Sequence, residues 1–255
     1  MSASTAGGPR PVALVTGASR GIGRAIALAL ARTHDIVVGY NASHEEAFAA
    51  AEEARRTGAR ATHSEADLRD PGAAAHLVDA AMEAFGRVDA VVSNAGAFVV
   101  KPFLDTTAQD LSAQMNINAS AGFVLAQAAA RQMIAAGRGG SITFITSAAG
   151  LRPRAQMAGY SMSKAAQTMM AQVLAKELGP AGIRVNAVAP GTIVTDLNRD
   201  QFDTEAGRER LLKNIVLGHP GRVEDVAEAV AFLTSERAAF ITGAVLSVDG
   251  GGSLS

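Results

Sequence analysis

The sequence predicts an α/β fold, a single doubly wound parallel sheet of about seven strands with helices on both faces. Three observations carry this. Short β-branched runs alternate with longer alanine-rich, helix-like stretches, the pattern of parallel strands joined by right-handed crossovers. The runs are apolar almost throughout, as strands buried on both faces must be. No Pro- or Ser-rich linker and no repeat of roughly 20–50 residues divides the chain, and its 255 residues suit one large domain.

In chain order the strands are read at VALVT (12–16), DIVVGY (35–40), VDAVVS (88–93), SITFIT (141–146), IRVNAVA (183–189) and AVLSVD (244–249), with a weaker one near ARATHSE (59–65). Periodic apolar segments such as GRAIALALAR and AAAHLVDAAMEAF fill the intervals as helices. Pro71, Pro102, Pro153, Pro180 and Pro190 mark single loops between elements. Residues 1–10, small and polar, are set aside as a flexible tail, and residues 11–255 form the single domain.

Composition excludes several classes of function. Hydrophobic residues make up 48% of the chain and charged residues 18%, enough apolar material for a sizeable core. A net charge of −1 without any run of Lys or Arg argues against nucleic acid as a partner. Cysteine is absent, which removes disulfides, thiolate chemistry and cysteine metal sites. The five histidines lack ligand-like spacing, so no metal is expected, and they are read as structural or surface residues. Neither a leader nor an apolar run of membrane-spanning length is present in the sequence, and a soluble, cytoplasmic protein is the expectation.

Two motifs carry chemistry. The first strand runs into TGASRGIG, Thr16 to Gly23, followed by a helix. Glycines 17, 21 and 23 permit a tight turn and let backbone N–H groups approach a pyrophosphate at the helix N-terminus, where the dipole favours an anion. Further on, GYSMSKAA places Tyr160 and Lys164 at i and i+4, on one helix face. With ordinary pKa values of about 10 and 10.4, neither is ready for proton transfer at neutral pH. A nearby ammonium favours the phenolate and is expected to lower the tyrosine pKa.

The spacing of TGASRGIG resembles that of the short-chain dehydrogenase/reductase family, and the resemblance continues over roughly 240 residues. NAG at 94–96, Ser147 in ITSAAG thirteen residues before Tyr160, PGTIVT (190–195) and ITGAVLSVDGG (241–251) stand in the family's order. The resemblance implies a Rossmann-type dinucleotide fold and a carbonyl–alcohol oxidoreductase. It also implies four catalytic residues. Tyr160 would exchange a proton with the substrate oxygen, and Ser147 would hydrogen-bond that oxygen. Lys164 would bind the nicotinamide ribose and tune Tyr160. Asn118, in NINASAGF, would hold a water linking Lys164 to solvent, with Asn116 as the competing asparagine. The cofactor is assigned to Gly17, Ser19, Arg20, Gly21, Ile22 and Gly23 of the loop and to Tyr40 and Asn41 after the second strand. Asp67, at the adenine, and Leu68 follow the third strand, and Asn94, Ala95 and Gly96 the fourth. Pro190, Gly191, Ile193 and Thr195 complete the set after the sixth, with Tyr160 and Lys164 touching it from their helix.

Cofactor choice is read at the end of the second strand. NAD-specific sites present an acid there for the ribose 2′-hydroxyl. Here VVGYNASH offers Tyr40 and Asn41 without a carboxylate, and Arg20 resembles the basic residue of NADP-using members, so NADP(H) is expected. Residues 195–218 are read as a substrate lid. The substrate is a small carbonyl or alcohol. A ketone or 3-oxoacyl group, free or carrier-bound, is the first reading, with Arg138 at a carrier-docking position and Ala181 where a second basic residue is lacking. The lid sequence favours the alternative, a sugar 1-dehydrogenase that turns an aldose into a lactone. A non-catalytic NADP-sensing protein is the remote third. By resemblance the chain assembles as a homotetramer through the alanine-rich helices 119–136 and 164–178, whose small residues could equally pack inside one subunit.

Overall fold

The computed structural model describes residues 9–196 and 204–254. Seven strands form, one at each expected run. They are β1 (Val12–Val15), β2 (Asp35–Tyr40), β3 (Ala61–Glu65), β4 (Ala90–Ser93), β5 (Gly140–Ile145), β6 (Ile183–Pro190) and β7 (Val245–Val248). Their order is β3-β2-β1-β4-β5-β6-β7, and every neighbouring pair is parallel. β3 reads weakly in the sequence because it is an edge strand, half-exposed along Thr62, His63 and Ser64.

The helices are α1 (Gly21–Ala31), α2 (His44–Arg56), α3 (Ala74–Phe85), α4 (Ala108–Met115), α5 (Ala121–Ala136), α6 (Ala158–Leu178), α7 (Glu205–Leu212) and α8 (Val223–Thr234). They divide the core in two. Ala13, Val15, Ile36 and Val38 point toward α1, α2 and α8, where Ile26, Leu30, Val226 and Val230 meet them. Val12, Leu14, Val37 and Val91 point the other way, onto Leu77, Leu125, Met133 and Ala171 of α3, α5 and α6. This is the period-2 alternation of a strand. Each fully buried Leu or Ile contributes about 1.5–3 kcal/mol, so these two layers dominate the sheet's stability.

Arg10, the last residue of the stretch expected to be a flexible tail, is anchored. Its guanidinium donates to the carbonyls of Ala31 (2.6 Å) and His34 (3.2 Å) and lies 3.5 Å from the buried Asp35 carboxylate. Asp35 also accepts from the backbone N–H (2.8 Å) and Nε (2.7 Å) of Arg60, which satisfies a charge at the start of β2. Residues 1–8 of that tail lie outside the described residues.

The strand order reverses direction between β1 and β4. In such sheets ligands bind beyond the carboxyl ends of the strands at that switch point. The cavity described next lies there.

Candidate active site

A cleft of about 1100 Å³ runs across the carboxyl ends of the sheet. Its first half is built on the glycine loop. Thr16 Oγ1 accepts from the backbone N–H groups of Asn94 and Ala95, both at 3.0 Å, and Asn94 Nδ2 donates back to the carbonyls of Thr16 (2.9 Å) and Gly17 (3.2 Å). The NAG segment thus fixes the loop in place. A Cβ on Gly23 would lie 2.2 Å from the Gly17 carbonyl oxygen, and Gly17 itself has φ +62, so both positions require glycine. The first turn of α1 has no side-chain cap and no acidic residue. Gly21, Ile22 and Gly23 of that turn line the cleft together with Ser19 and Arg20, which fits a pyrophosphate at the N–H groups a helix start leaves without intrahelical partners.

Tyr40, Asn41, Asp67 and Leu68 line the next part of the same wall. Asn41 and Arg20 are exposed, and among the described residues Arg20 has no ion-pair partner. The Tyr40 phenol is engaged elsewhere. Burial, with the Glu65 carboxylate beside it, pushes its pKa up. Its ring packs edge-on against His44 at 5.8 Å. The absence of a carboxylate holds for the end of β2, but the parallel register Tyr40↔Glu65 brings one in from the neighbouring strand. Sequence reading along one strand could not show this. Asp67 is held by Arg69 through Nε (2.9 Å) and Nη2 (2.5 Å), and these bonds keep its carboxyl below the usual range.

The second half of the cleft gathers Ser147, Tyr160 and Lys164. Ser147 follows β5 and caps the short turn 148–150, where its Oγ accepts from the Ala149 N–H at 3.1 Å. Its hydroxyl lies close enough to the Tyr160 phenol to favour the phenolate. Lys164 is only 3% exposed. Its Nζ donates to the Ile145 carbonyl (2.8 Å) and to Gln167 Oε1 (2.9 Å), and sits 5.8 Å from the centre of the Tyr160 ring. Burial brings its pKa down to about 7.

The expected lowering of the Tyr160 pKa does not occur in the cleft as it stands. Burial penalises the charged phenolate and so pushes the phenol up, and the nearby Ser147 hydroxyl only partly offsets this.

Asn118 is fully buried, in a π-helical turn at Asn116–Ser120 between α4 and α5. Such turns are frequent at functional sites. Its amide clamps the loop after β4: Oδ1 accepts from the Ala97 N–H (2.7 Å), and Nδ2 donates to the Ala97 carbonyl (3.0 Å) and to Ser163 Oγ (2.8 Å). Asn116, the competing asparagine, instead donates to the Arg69 carbonyl at 3.3 Å. A Cβ on Gly96 would lie 3.2 Å from Asn118 Oδ1 and 3.5 Å from Lys164 Nζ, so Gly96 lies against both groups.

Pro190 at the end of β6, with Gly191, Ile193 and Thr195 beyond it, closes the floor, and Leu211, Asn214 and Ile215 reach the cleft from α7 and the turn behind it. Thr195, Leu211, Asn214 and Ile215 belong to the expected lid, which is helical over Glu205–Leu212; residues 197–203 of it lie outside the described residues. Arg138 stands at the opposite end of the sheet, before β5, with its Nε 3.9 Å from Asp89.

Sequence reasoning missed several lining or supporting residues. Phe98 packs edge-on against Tyr160 with ring centres 4.8 Å apart. Arg154 and Gln156 border the substrate end, and Gln156 has φ +65, a conformation strained for a residue with a side chain. Gln167 was visible in principle: with Tyr160 and Lys164 it forms an i, i+4, i+7 stripe on α6.

The glycine loop at a helix N-terminus, together with a serine, tyrosine and lysine converging beyond the switch point, defines a dinucleotide-dependent oxidoreductase. The chain belongs to the short-chain dehydrogenase/reductase family. A family model described as enoyl-(acyl carrier protein) reductase matches residues 17–253. An L-rhamnose 1-dehydrogenase (NAD(P)(+)) of Azotobacter vinelandii is 41% identical over 93% of this chain and 94% of its own. A 3-oxoacyl-[acyl-carrier-protein] reductase of Synechocystis is 38% identical over 94% of this chain and 96% of its own. A short-chain dehydrogenase from Burkholderia cenocepacia, solved in complex with NADP, superposes with TM-score 0.89 at 40% identity, covering 96% of this chain and 97% of the other.

Proposed function

We propose that the protein is an NADP-linked aldose 1-dehydrogenase that oxidises the C1 hydroxyl of a sugar such as L-rhamnose to the lactone. The observation that carries this is the polar substrate end of the cleft: Arg154, Gln156, Asn214 and Asp196 border it, and among the described residues Arg154 has no side-chain partner. A ring of hydroxyls offers such groups many hydrogen bonds. The likeness to an L-rhamnose 1-dehydrogenase points the same way. Carrier docking, the first expectation from sequence, has less support, because Arg138 lies at the sheet end away from the cleft.

When bound, the nicotinamide supplies the hydride acceptor. Tyr160 would act as its phenolate, its own proton having left to solvent, and would take the C1 hydroxyl proton as hydride leaves C1, while Ser147, which also lines the cleft, would steady the substrate oxygen. Lys164 offers its third N–H to the nicotinamide ribose, the other two being held by Ile145 and Gln167. Arg20 pairs with the 2′-phosphate, which favours NADP(H) over NAD(H). The assembly is a homotetramer that buries the outward faces of α5 and α6.

The test is a comparison of kcat/KM for L-rhamnose and D-glucose with NADP+ against acetoin and acetoacetyl-CoA with NADPH. The aldoses are expected to lead by about tenfold or more, and a leading thioester or ketone would overturn the sugar reading. Tyr160→Phe is expected to cost about 10²–10⁴-fold in kcat, the range for a lost general acid or base, with NADPH binding retained. A variant with near-normal turnover removes Tyr160 from the mechanism.

A further inference from the structure

We infer that Gln167 is a positioning residue for Lys164, holding its ammonium on the cleft wall so that one N–H is left to face the cofactor. An ammonium has three donors. Ile145 takes one at 2.8 Å and Gln167 Oε1 a second at 2.9 Å. The two acceptors come from different elements, the end of β5 and the next turn of α6, so together they fix the direction of the third. Without the amide oxygen, Nζ would hang from one carbonyl and swing about it.

The remainder of the Gln167 side chain argues that stability is not its purpose. Gln167 is completely buried, and its Nε2 has no hydrogen-bond partner. An unpaired buried amide costs stability that an apolar side chain of equal length would not. Its neighbours along the buried stripe, Ala171 and Ala175, are apolar and carry no such cost. What the glutamine gives in return is an acceptor for a cation that burial alone drives toward neutrality.

The groups around the ammonium are few. Among the described residues Tyr160 is the titratable one, with its ring centre 5.8 Å from Nζ. Ile145 and Ser147 from β5 and its following turn, Asn118 from the π turn and Gly96 from the loop after β4 are all uncharged. The amide oxygen is therefore a large part of what keeps the proton on Lys164, and its removal acts on the pH range of function.

The inference rests on the proposal that Lys164 serves the reaction as an ammonium, and the two can fail separately. The experiment measures kcat and NADPH affinity from pH 6 to 10 for the wild type, Gln167→Met, Gln167→Glu and Lys164→Met, with melting temperatures alongside. Gln167→Met is expected to move the alkaline limit of both quantities down by about one pH unit, roughly tenfold less ammonium at a given pH, with an unchanged or higher melting temperature. Gln167→Glu, which sets a carboxylate beside the ammonium, is expected to move the limit up. Opposite shifts from two substitutions at one site are not a signature of packing. A lower melting temperature with the limit unmoved, or shifts of the same sign in both variants, overturns the inference. If Gln167→Met does not fold, the direction of the Glu variant decides it. If Lys164→Met remains active, the proposal about Lys164 fails instead, whatever Gln167 does.

Discussion

Lys164 works against the fold that holds it. Its pKa falls from 10.5 to about 7 on burial, so between those values the unfolded chain binds a proton that the native chain lacks. Stability then rises with pH across that window. Below pH 7 both states carry the proton, and the full cost of burying an ammonium is present. A shift of this size corresponds to a few kcal/mol as an order of magnitude. Lys164→Met is therefore expected to raise the melting temperature by several degrees at pH 6, with the gain shrinking toward pH 10, while activity is lost. Calorimetry at three pH values checks this; a variant no more stable than wild type at pH 6 would show that the native site already compensates the charge. Arg20 sits at the other end of the cleft, exposed and without an ion-pair partner among the described residues. Arg20→Ala is expected to weaken NADPH by about 10- to 150-fold, the worth of bonds to a charged group, and NADH much less. Fluorescence titration of both cofactors decides it, and equal losses would place the 2′-phosphate elsewhere.

Elements were the most legible scale. The inner strands lie where apolar runs stand in the sequence, because strands buried on both faces leave a continuous signal, whereas the edge strand β3 left only a weak one. The glycine loop was legible for a related reason. A Cβ on Gly23 would meet the Gly17 carbonyl oxygen at 2.2 Å and Asn94 Nδ2 at 2.4 Å, a constraint that leaves glycine as the only residue that fits. Gly23→Ala is expected to push the loop off NAG, costing about 1–3 kcal/mol of stability and weakening both cofactors alike. A variant that binds NADPH normally would mean that α1 can shift without disturbing the loop. What escaped the sequence came from across elements. The placing of Glu65 beside Tyr40 depends on the register between β2 and β3, and the clamp of Asn118 on Ala97 depends on where the π turn meets the loop after β4. The raised pKa of Tyr160 likewise reflects how deeply α6 packs, which an i, i+4 spacing does not record.

At the scale of the whole molecule, the small residues of α5 and α6 pack inward. Ala121, Gly122, Ala126, Ala129 and Ala130 of α5 and Gly159, Ala171 and Ala175 of α6 are buried within the subunit, so they serve the core rather than a contact between subunits. The outward faces carry larger apolar groups. Phe123 and Ile134 are exposed on α5, and Met162, Met169 and Val173 repeat along α6 at intervals of seven and four residues, which sets them on one stripe. Contiguous exposed apolar surface of this kind marks an interaction site, and a stable interface needs about 800 Å² from each partner. Two neighbouring helices of 16 and 21 residues can supply that area. Since α6 also carries Tyr160 and Lys164 near its start, burying its outer face would stiffen the helix that aligns them. The pair Met169→Glu and Val173→Glu, placed on the stripe but beyond the catalytic turn, is expected to convert the proposed tetramer into species close to the 26.0 kDa chain mass, with a lower melting temperature and reduced kcat. Sedimentation velocity of the wild type and the double variant reads the outcome. A wild type that sediments as a monomer, or a double variant that stays tetrameric, would remove α5 and α6 from the assembly.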